Sequence, residues 1–172
     1  RGKGAAVREG VLRADCARVL FMDADLATPL DAYDALAAAL DAGADVAIGS
    51  RALPDSDLVV RQHPAREAMG RGFNFIVRGV TGLPFRDTQC GFKLFTRDAA
   101  QTLFRAARVE RFAFDVELLM LAQGRFRVVE VPVQWRHVEQ STVSPIRDGA
   151  RTAFDLLRLR VDVATRALRG RR

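Results

Sequence analysis

The 172-residue chain predicts an α/β domain, a sheet flanked by helices, and three observations carry that prediction. Apolar runs of strand length alternate with amphipathic stretches of helix length, the pattern of strands joined by crossover helices. An apolar content of 49% with mean hydropathy near zero suffices for a buried core. The first clear strand runs straight into two carboxylates, and in such sheets ligands gather at the carboxyl ends of strands.

Taken in order, Gly4 to Ala14 reads as a helix with Ala6, Val7, Val11 and Leu12 on its apolar side, and Ala17 to Met22 as a buried strand. Thr28 and Pro29 set up the next helix, the hydroxyl as cap and the proline near the first turn, and Gly43 stops it. Asp45 to Ile48 is the next strand, and this alternation implies parallel pairing through right-handed crossovers. Residues 51–64 read as a loop, 65–80 as a helix weakened by its glycines, and 81–92 as a second loop. "FKLF" is a short strand, Arg97 to Ala107 and Asp115 to Gln123 are helices, and 126–135 is a strand in which Pro132 argues for an edge or a bulge. From Ile146 onward, Ala150, Ala153, Phe154, Leu157, Val161, Ala164 and Leu168 continue one apolar stripe of a long helix, while Leu156, Leu159 and Val163 form a smaller apolar group.

The net charge of +6 is concentrated at the end: residues 145–172 hold eight Arg against three Asp. A helix with apolar faces and a basic one can pack on the sheet and touch an anionic membrane, or bury itself against neighbours or a second copy as a homodimer. Aromatic residues are not interleaved with the basic tract, which counts against nucleic acid. Cys16 and Cys90 lack zinc-type spacing and companions, and the lone His63 and His137 suggest no ligand cluster. No run reaches the ~18 apolar residues of a membrane span, and "RGKGAAVREG" has no signal-peptide core.

The chemistry centres on "VLFMDADLATP". Side chains alternate along extended chain, so Asp23 and Asp25 can face one way with the small Ala24 turned aside. Two adjacent carboxylates repel one another, and a hard divalent cation, Mg2+ or Mn2+, relieves the repulsion and bridges to a diphosphate. A solvated turn is the plain alternative. A metal-dependent phosphatase or nucleotidyltransferase could use the same pair, although Ala27 stands where dehalogenase-like phosphatases want Thr or Val. "GKGAAV" satisfies neither the P-loop nor the dinucleotide fingerprint.

"RGKGAAVREG", "VLFMDADLATP", "AIGSR", "DTQCGFKLFTRDAA", "VERFAFDVELL" and "EVPVQW" occur in the order found in inverting family 2 glycosyltransferases of the GT-A fold that act on polyprenyl phosphate. The chain most resembles the dolichyl-phosphate β-glucosyltransferases, with the dolichyl-phosphate mannose synthases next. That resemblance implies a GT-A-like (Rossmann-like) mixed sheet flanked by helices, entered at its third helix and missing its first strands. Residues 1–144 would be the C-terminal portion of the GT-A domain, and 145–172 the basic amphipathic helix. The implied activity is transfer of glucose from UDP-glucose to a polyprenyl or dolichyl phosphate, with inversion, by a peripheral protein at the cytosolic membrane face. Asp23 and Asp25 would hold Mg2+ or Mn2+ against the donor diphosphate, with Lys3 near the donor unless it is only a solvated helix-start lysine. Ala27, where mannose synthases often place a Gln, tilts the reading toward glucose.

The acceptor, a phosphate monoester, is already anionic and needs cations to hold it in line more than it needs a base. Arg51 and Arg66 are candidates for that task, with Lys93 behind them, because guanidinium forks match phosphate oxygens. Asp87 and Gln89 are expected to shape the same pocket. Asp115 joins Asp25 as a catalytic candidate by resemblance, orienting rather than deprotonating, or else caps its helix. Asp115 and Glu117 are two apart and cannot both face one site from a helix. Phe92, Phe95 and Phe114 are assigned to the core, and Trp135 to core or edge packing. A basic membrane-binding module without catalysis is the remaining alternative.

Overall fold

The computed structural model describes residues 2–56, 58–60, 64–136, 156 and 158–161. Its elements are α1 (Lys3–Arg13), β1 (Arg18–Met22), α2 (Tyr33–Asp41), β2 (Val46–Ser50), β3 (Leu58–Val60), α3 (Pro64–Thr81), β4 (Phe92–Thr96), α4 (Arg97–Ala106), α5 (Phe114–Ala122), β5 (Val128–Pro132) and β6 (Trp135–Arg136). The main sheet runs β1-β4-β2-β5, and β3 pairs with β6 in a small second sheet.

Period-two alternation divides the sheet residues between two cores. Val19 and Phe21 of β1, Val46 and Ile48 of β2, and Phe95 of β4 face a cluster shared with α1, α4 and α5. Ala47, Phe92, Leu94 and Val131 point the other way, onto Leu36 and Leu40 of α2. The result is three layers, with helices on both faces and β2 buried along its whole length. Edge-to-face pairs fix the thicker side: Phe21 with Phe114 and Phe95 with Phe104, each at 5.5 Å between centroids. Such contacts are worth roughly 0.5–1.5 kcal/mol beyond area burial.

The sheet is mixed where simple alternation implied parallel pairing. β4 lies between β1 and β2 and runs antiparallel to both, while β2 and β5 are parallel. Consequently the carboxyl ends of β1, β2 and β5 and the amino end of β4 share one edge of the sheet. Pro132 ends β5, the outer strand of the sheet among the described residues, where its missing N–H costs no ladder bond.

Other expectations shift locally. Thr28 does not cap α2: a short 3-10 turn at Leu30–Ala32 leads in, and the Thr28 hydroxyl is buried against the Cys90 sulfur at 3.9 Å. The loop after β2 contains the strand β3, and the strand predicted over 126–135 breaks after Pro132 to let Trp135 start β6. Thr96, by contrast, caps α4 through a bond from the Ala99 amide.

The helix and domain predicted over 145–172 lie outside the described residues, except for Leu156 and 158–161. Leu156 and Leu159, two members of the smaller apolar group, are buried in the larger core, whereas Val161 of the expected stripe is 66% exposed. No described helix is long and apolar enough to cross a membrane.

Candidate functional site

The shared edge of the sheet carries a pocket of about 110 Å³ lined by Asp23, Asp25, Thr28, Arg51, Gln89 and Trp135, among others. β1 delivers the first wall. Its last apolar residues are held by the β4 ladder, and the Asp23 amide donates to the Gly91 carbonyl at 2.8 Å, which fixes where the chain leaves the sheet. The Asp25 carboxylate accepts the Ala27 amide at 3.1 Å, a two-residue turn that aspartate favours. Between them Leu26 takes the left-handed backbone conformation, φ 55°, which a non-glycine residue adopts at a cost.

Gly91 is required here. A Cβ at this position would lie 2.1 Å from the Asp23 carboxylate, so the missing side chain is the space Asp23 occupies. The neighbouring Lys3 ammonium stands 2.7 Å from Asp23 Oδ1 and lies over the rings of Phe21 and Phe114 at 5.3 and 5.9 Å. Lys3 therefore contacts Asp23 and is not a freely solvated helix-start residue.

β2 delivers the second wall through Arg51. Asp87 grips it with both carboxylate oxygens, Oδ2 accepting from Nε at 2.7 Å and Oδ1 from Nη2 at 3.0 Å, while Oδ2 also accepts the Arg51 amide at 3.1 Å. Burial alone would raise the Asp87 pKa, but the adjoining guanidinium outweighs it and holds the carboxyl below its ordinary range. Burial works against the Arg51 charge, and Asp87 more than offsets that, so the guanidinium stays protonated. Arg51 lies 5.7 Å from the Trp135 ring, and Gln89 is tied in by its amide on Asp87 Oδ1 at 3.2 Å. The loop holding Asp87 is itself clamped by Glu130 of β5, which accepts the Arg86 and Asp87 amides at 2.9 Å.

Beneath the pocket lies a buried ion pair. Lys93 is fully buried, and its ammonium donates to Asp115 Oδ1 at 2.7 Å and to the Cys90 carbonyl at 2.5 Å. Burial pushes the Asp115 carboxyl up, with nearby Asp23 adding to the rise and Lys93 opposing it. Cys90 is pushed up to about 11, by burial first and then by Asp87, which leaves the thiol protonated and inert.

These facts revise several assignments. Lys93 does not reach the pocket as an acceptor ligand, because its position on the inward face of β4 commits the ammonium to Asp115. Asp115 does not cap α5, whose N-cap is Ala113. Glu117 diverges from it, as the helical spacing required, and accepts the Arg108 and Val109 amides. Arg66 falls in the first turn of α3, but its side chain lies outside the described residues. Trp135 is half-buried at the pocket wall rather than in the core, whereas Phe92, Phe95 and Phe114 are core residues. Sequence reasoning missed Gly91 and Glu130. The single cue for Gly91 was a glycine directly before a buried strand, and nothing in "VVEVP" announced a clamp 43 residues from its target.

The donor set suits a hard divalent cation. Asp23 Oδ1 is a buried oxygen without a well-aligned hydrogen-bond donor among the described residues, and both carboxylates open onto one pocket. No group of three or more His, Cys, Asp or Glu converges among the described residues. An ion held by Asp23 and Asp25 would complete its shell with water and ligand oxygens, as Mg2+ and Mn2+ do beside phosphates.

The chain, a mixed α/β/α sheet with an acidic pair just past the end of β1, belongs to glycosyl transferase family 2, whose model matches residues 1–104. Among the proteins it resembles, the dolichyl-phosphate beta-glucosyltransferase of Drosophila melanogaster is 43% identical over 163 residues, covering 91% of this chain and 50% of the relative. The Homo sapiens protein of the same name is 37% identical over 176 residues, covering 98% of this chain and 54% of the relative. The chain thus spans about half the length of the curated relatives it matches. The fold resembles glucosyl-3-phosphoglycerate synthase from Mycobacterium tuberculosis, solved with uridine diphosphate, at a TM-score of 0.67 and 17% identity over 93% of this chain and 55% of that one.

Proposed function

We propose that this chain carries the cation-binding and acceptor-facing part of an inverting glycosyltransferase that moves glucose from UDP-glucose onto a polyprenyl (dolichyl) phosphate at the cytosolic face of a membrane. The observation that carries the reading is the convergence of Asp23, Asp25 and Arg51 on one pocket, in a chain whose relatives are named dolichyl-phosphate glucosyltransferases. In the reaction an acceptor phosphate oxygen attacks the anomeric carbon, the bond from that carbon to the diphosphate breaks, and UDP leaves from the opposite face. A bound Mg2+ or Mn2+ would supply Lewis-acid stabilisation of the leaving diphosphate.

The chain's own residues prepare the two partners. Asp23 and Asp25 hold the cation, and Lys3 stands beside them on the donor side. Arg51, fixed by Asp87 and backed by Trp135, offers a guanidinium for the acceptor phosphate, with Gln89 at the same wall and Arg66 as a further candidate. The acceptor is anionic already, so a fixed cation that orients it contributes more than a general base would. Asp115 acts from below as a positioning residue, through Lys93 and the field it shares with Asp23. Peripheral membrane attachment and self-association belong to the same proposal and rest on the basic C-terminal sequence.

The test is transfer of labelled glucose from UDP-glucose to dolichyl phosphate by the complete gene product. Glycolipid formation that disappears in Asp23→Ala/Asp25→Ala supports the assignment. Release of free phosphate without glycolipid would instead favour a phosphatase built on the same pair.

A further inference from the structure

We infer that Lys3 is a built-in counter-cation for Asp23, holding the carboxylate in place until a divalent cation displaces it; this rests on the cation site proposed above. Lys3 is the first residue of α1, where the helix dipole disfavours positive charge, and the first turn has neither an acidic side chain nor a side-chain cap to compensate. What compensates is Asp23, 2.7 Å away, together with the faces of Phe21 and Phe114. The arrangement answers a real electrostatic need. Asp23 shares the pocket with Asp25, and Asp23 and Lys3 both act on the Asp115 carboxyl beneath it, in opposite directions. Together with Arg51 on the facing wall, Lys3 offsets the repulsion between the carboxylates, whose loop is strained at Leu26 and held to β4 by the Asp23 amide on the Gly91 carbonyl.

Lys3 is also suited to leave. Asp23 Oδ1 lacks an aligned hydrogen-bond donor, so the contact is a Coulombic one on a flexible stem. Both partners are about one-third exposed, 30% and 35%, so solvent screens the pair and its strength is modest. The other basic side chains behave differently: Arg51 is held by both oxygens of Asp87, and Lys93 is fully buried with two hydrogen bonds and cannot exchange. A divalent ion entering between Asp23 and Asp25 must therefore displace Lys3 and not Lys93. The freed ammonium would then stand beside the arriving diphosphate.

Competition predicts a gain on removing Lys3. Lys3→Met keeps the apolar stem on the two rings and removes the charge, and in the absence of nucleotide it should bind Mn2+ about three- to tenfold more tightly, read from the free Mn2+ signal in electron paramagnetic resonance. Lys3→Arg should match the parent. Unchanged or weaker Mn2+ binding by Lys3→Met overturns the inference.

Should that variant fail to fold, the unaltered protein decides. Lys3 and Lys93 are its only lysines in this chain, so lysine-selective 15N labelling reports both ammonium groups. Saturating Mg2+ should shift the Lys3 Nζ resonance, read through its non-exchanging Hε protons, and leave that of Lys93 in place. An unshifted Lys3 resonance refutes displacement. Mn2+ binding that survives Asp23→Asn/Asp25→Asn would overturn the cation site itself, and the inference with it. Binding lost in that double variant but not tightened by Lys3→Met sinks the inference alone.

Discussion

The two walls of the pocket are built on opposite principles. At the end of β2, Arg51 and Asp87 exchange a two-pronged ion pair, Asp87 is buried, and Glu130 holds the loop behind it. At the end of β1, Asp25 is exposed, Asp23 is half-buried beside an exchangeable lysine, and Leu26 is strained. The first wall and the Lys93–Asp115 pair under it have their polar groups satisfied from within the protein. The second keeps carboxylate oxygens with capacity to spare. Satisfied polar groups fix geometry, and unsatisfied ones leave binding free energy for a ligand. Substitutions at the first wall should therefore cost stability as well as acceptor binding, and those at the second should cost cation binding with little loss of stability.

The largest stability effect should come from Lys93→Met. It leaves the Asp115 carboxylate buried without its partner, which costs about 3–5 kcal/mol in chemical denaturation, less whatever protonation of Asp115 recovers. Adding Asp115→Leu should return most of that loss, because a buried pair replaced by apolar groups is often neutral. A small loss in the single variant would mean that the pair sits in wetter surroundings than its geometry indicates.

Asp87→Asn should cost about 2 kcal/mol, since Arg51 keeps partial exposure and water can screen its charge. Its pH dependence has a definite sign. The Asp87 pKa is held below its ordinary 3.8, so the stabilisation is fully present above that value and is lost as pH falls through the folded-state pKa. The stability gap between parent and variant should be constant from about pH 5 upward and close below about pH 4. A gap that instead grew on acidification would contradict the assignment.

Much of this contrast was legible in the sequence on one wall only. "VLFMDADLATP" shows an apolar strand ending in two carboxylates, and Asp23 and Asp25 do line one pocket, although a turn closed by the Leu26 amide on the Asp23 carbonyl, rather than extended alternation, brings them there. The apolar periodicities likewise gave α1, β1, β2, α4 and α5 to within a residue or two. The other wall depends on pairings between distant segments. Strand β4 inserts antiparallel between β1 and β2, and this turns Lys93 inward onto Asp115, 22 residues away, instead of toward an acceptor. Thr28 looked like a cap because it precedes a proline and a helix, but tertiary packing against Cys90 claimed its hydroxyl. Periodicity fixes which face a residue takes within its own element. It does not fix which element lies next door.

Glu130→Gln sharpens the comparison at smaller amplitude. Glutamine retains one acceptor oxygen for the Arg86 and Asp87 amides but loses the charge, so about 1 kcal/mol should be lost. Faster hydrogen exchange confined to those two amides would show that the clamp acts on the loop. Unchanged exchange would reduce Glu130 to an edge-strand side chain.

Asp25→Asn should have the smallest effect on stability and so tests the contrast most directly. Its Oδ1 is needed only to accept the Ala27 amide, and the asparagine carbonyl does that equally well. The side chain is exposed, so no desolvated charge is stranded, and the change in unfolding free energy should stay within about 0.5 kcal/mol. Mn2+ binding should nevertheless fall at least tenfold, because a hard cation loses one of its two anionic ligands. A substitution that costs binding while sparing the fold is the signature expected of a wall kept for a ligand. If Asp25→Asn destabilised the protein as much as Asp87→Asn, the β1 wall would be structural as well, and the division of labour between the strand ends would fail.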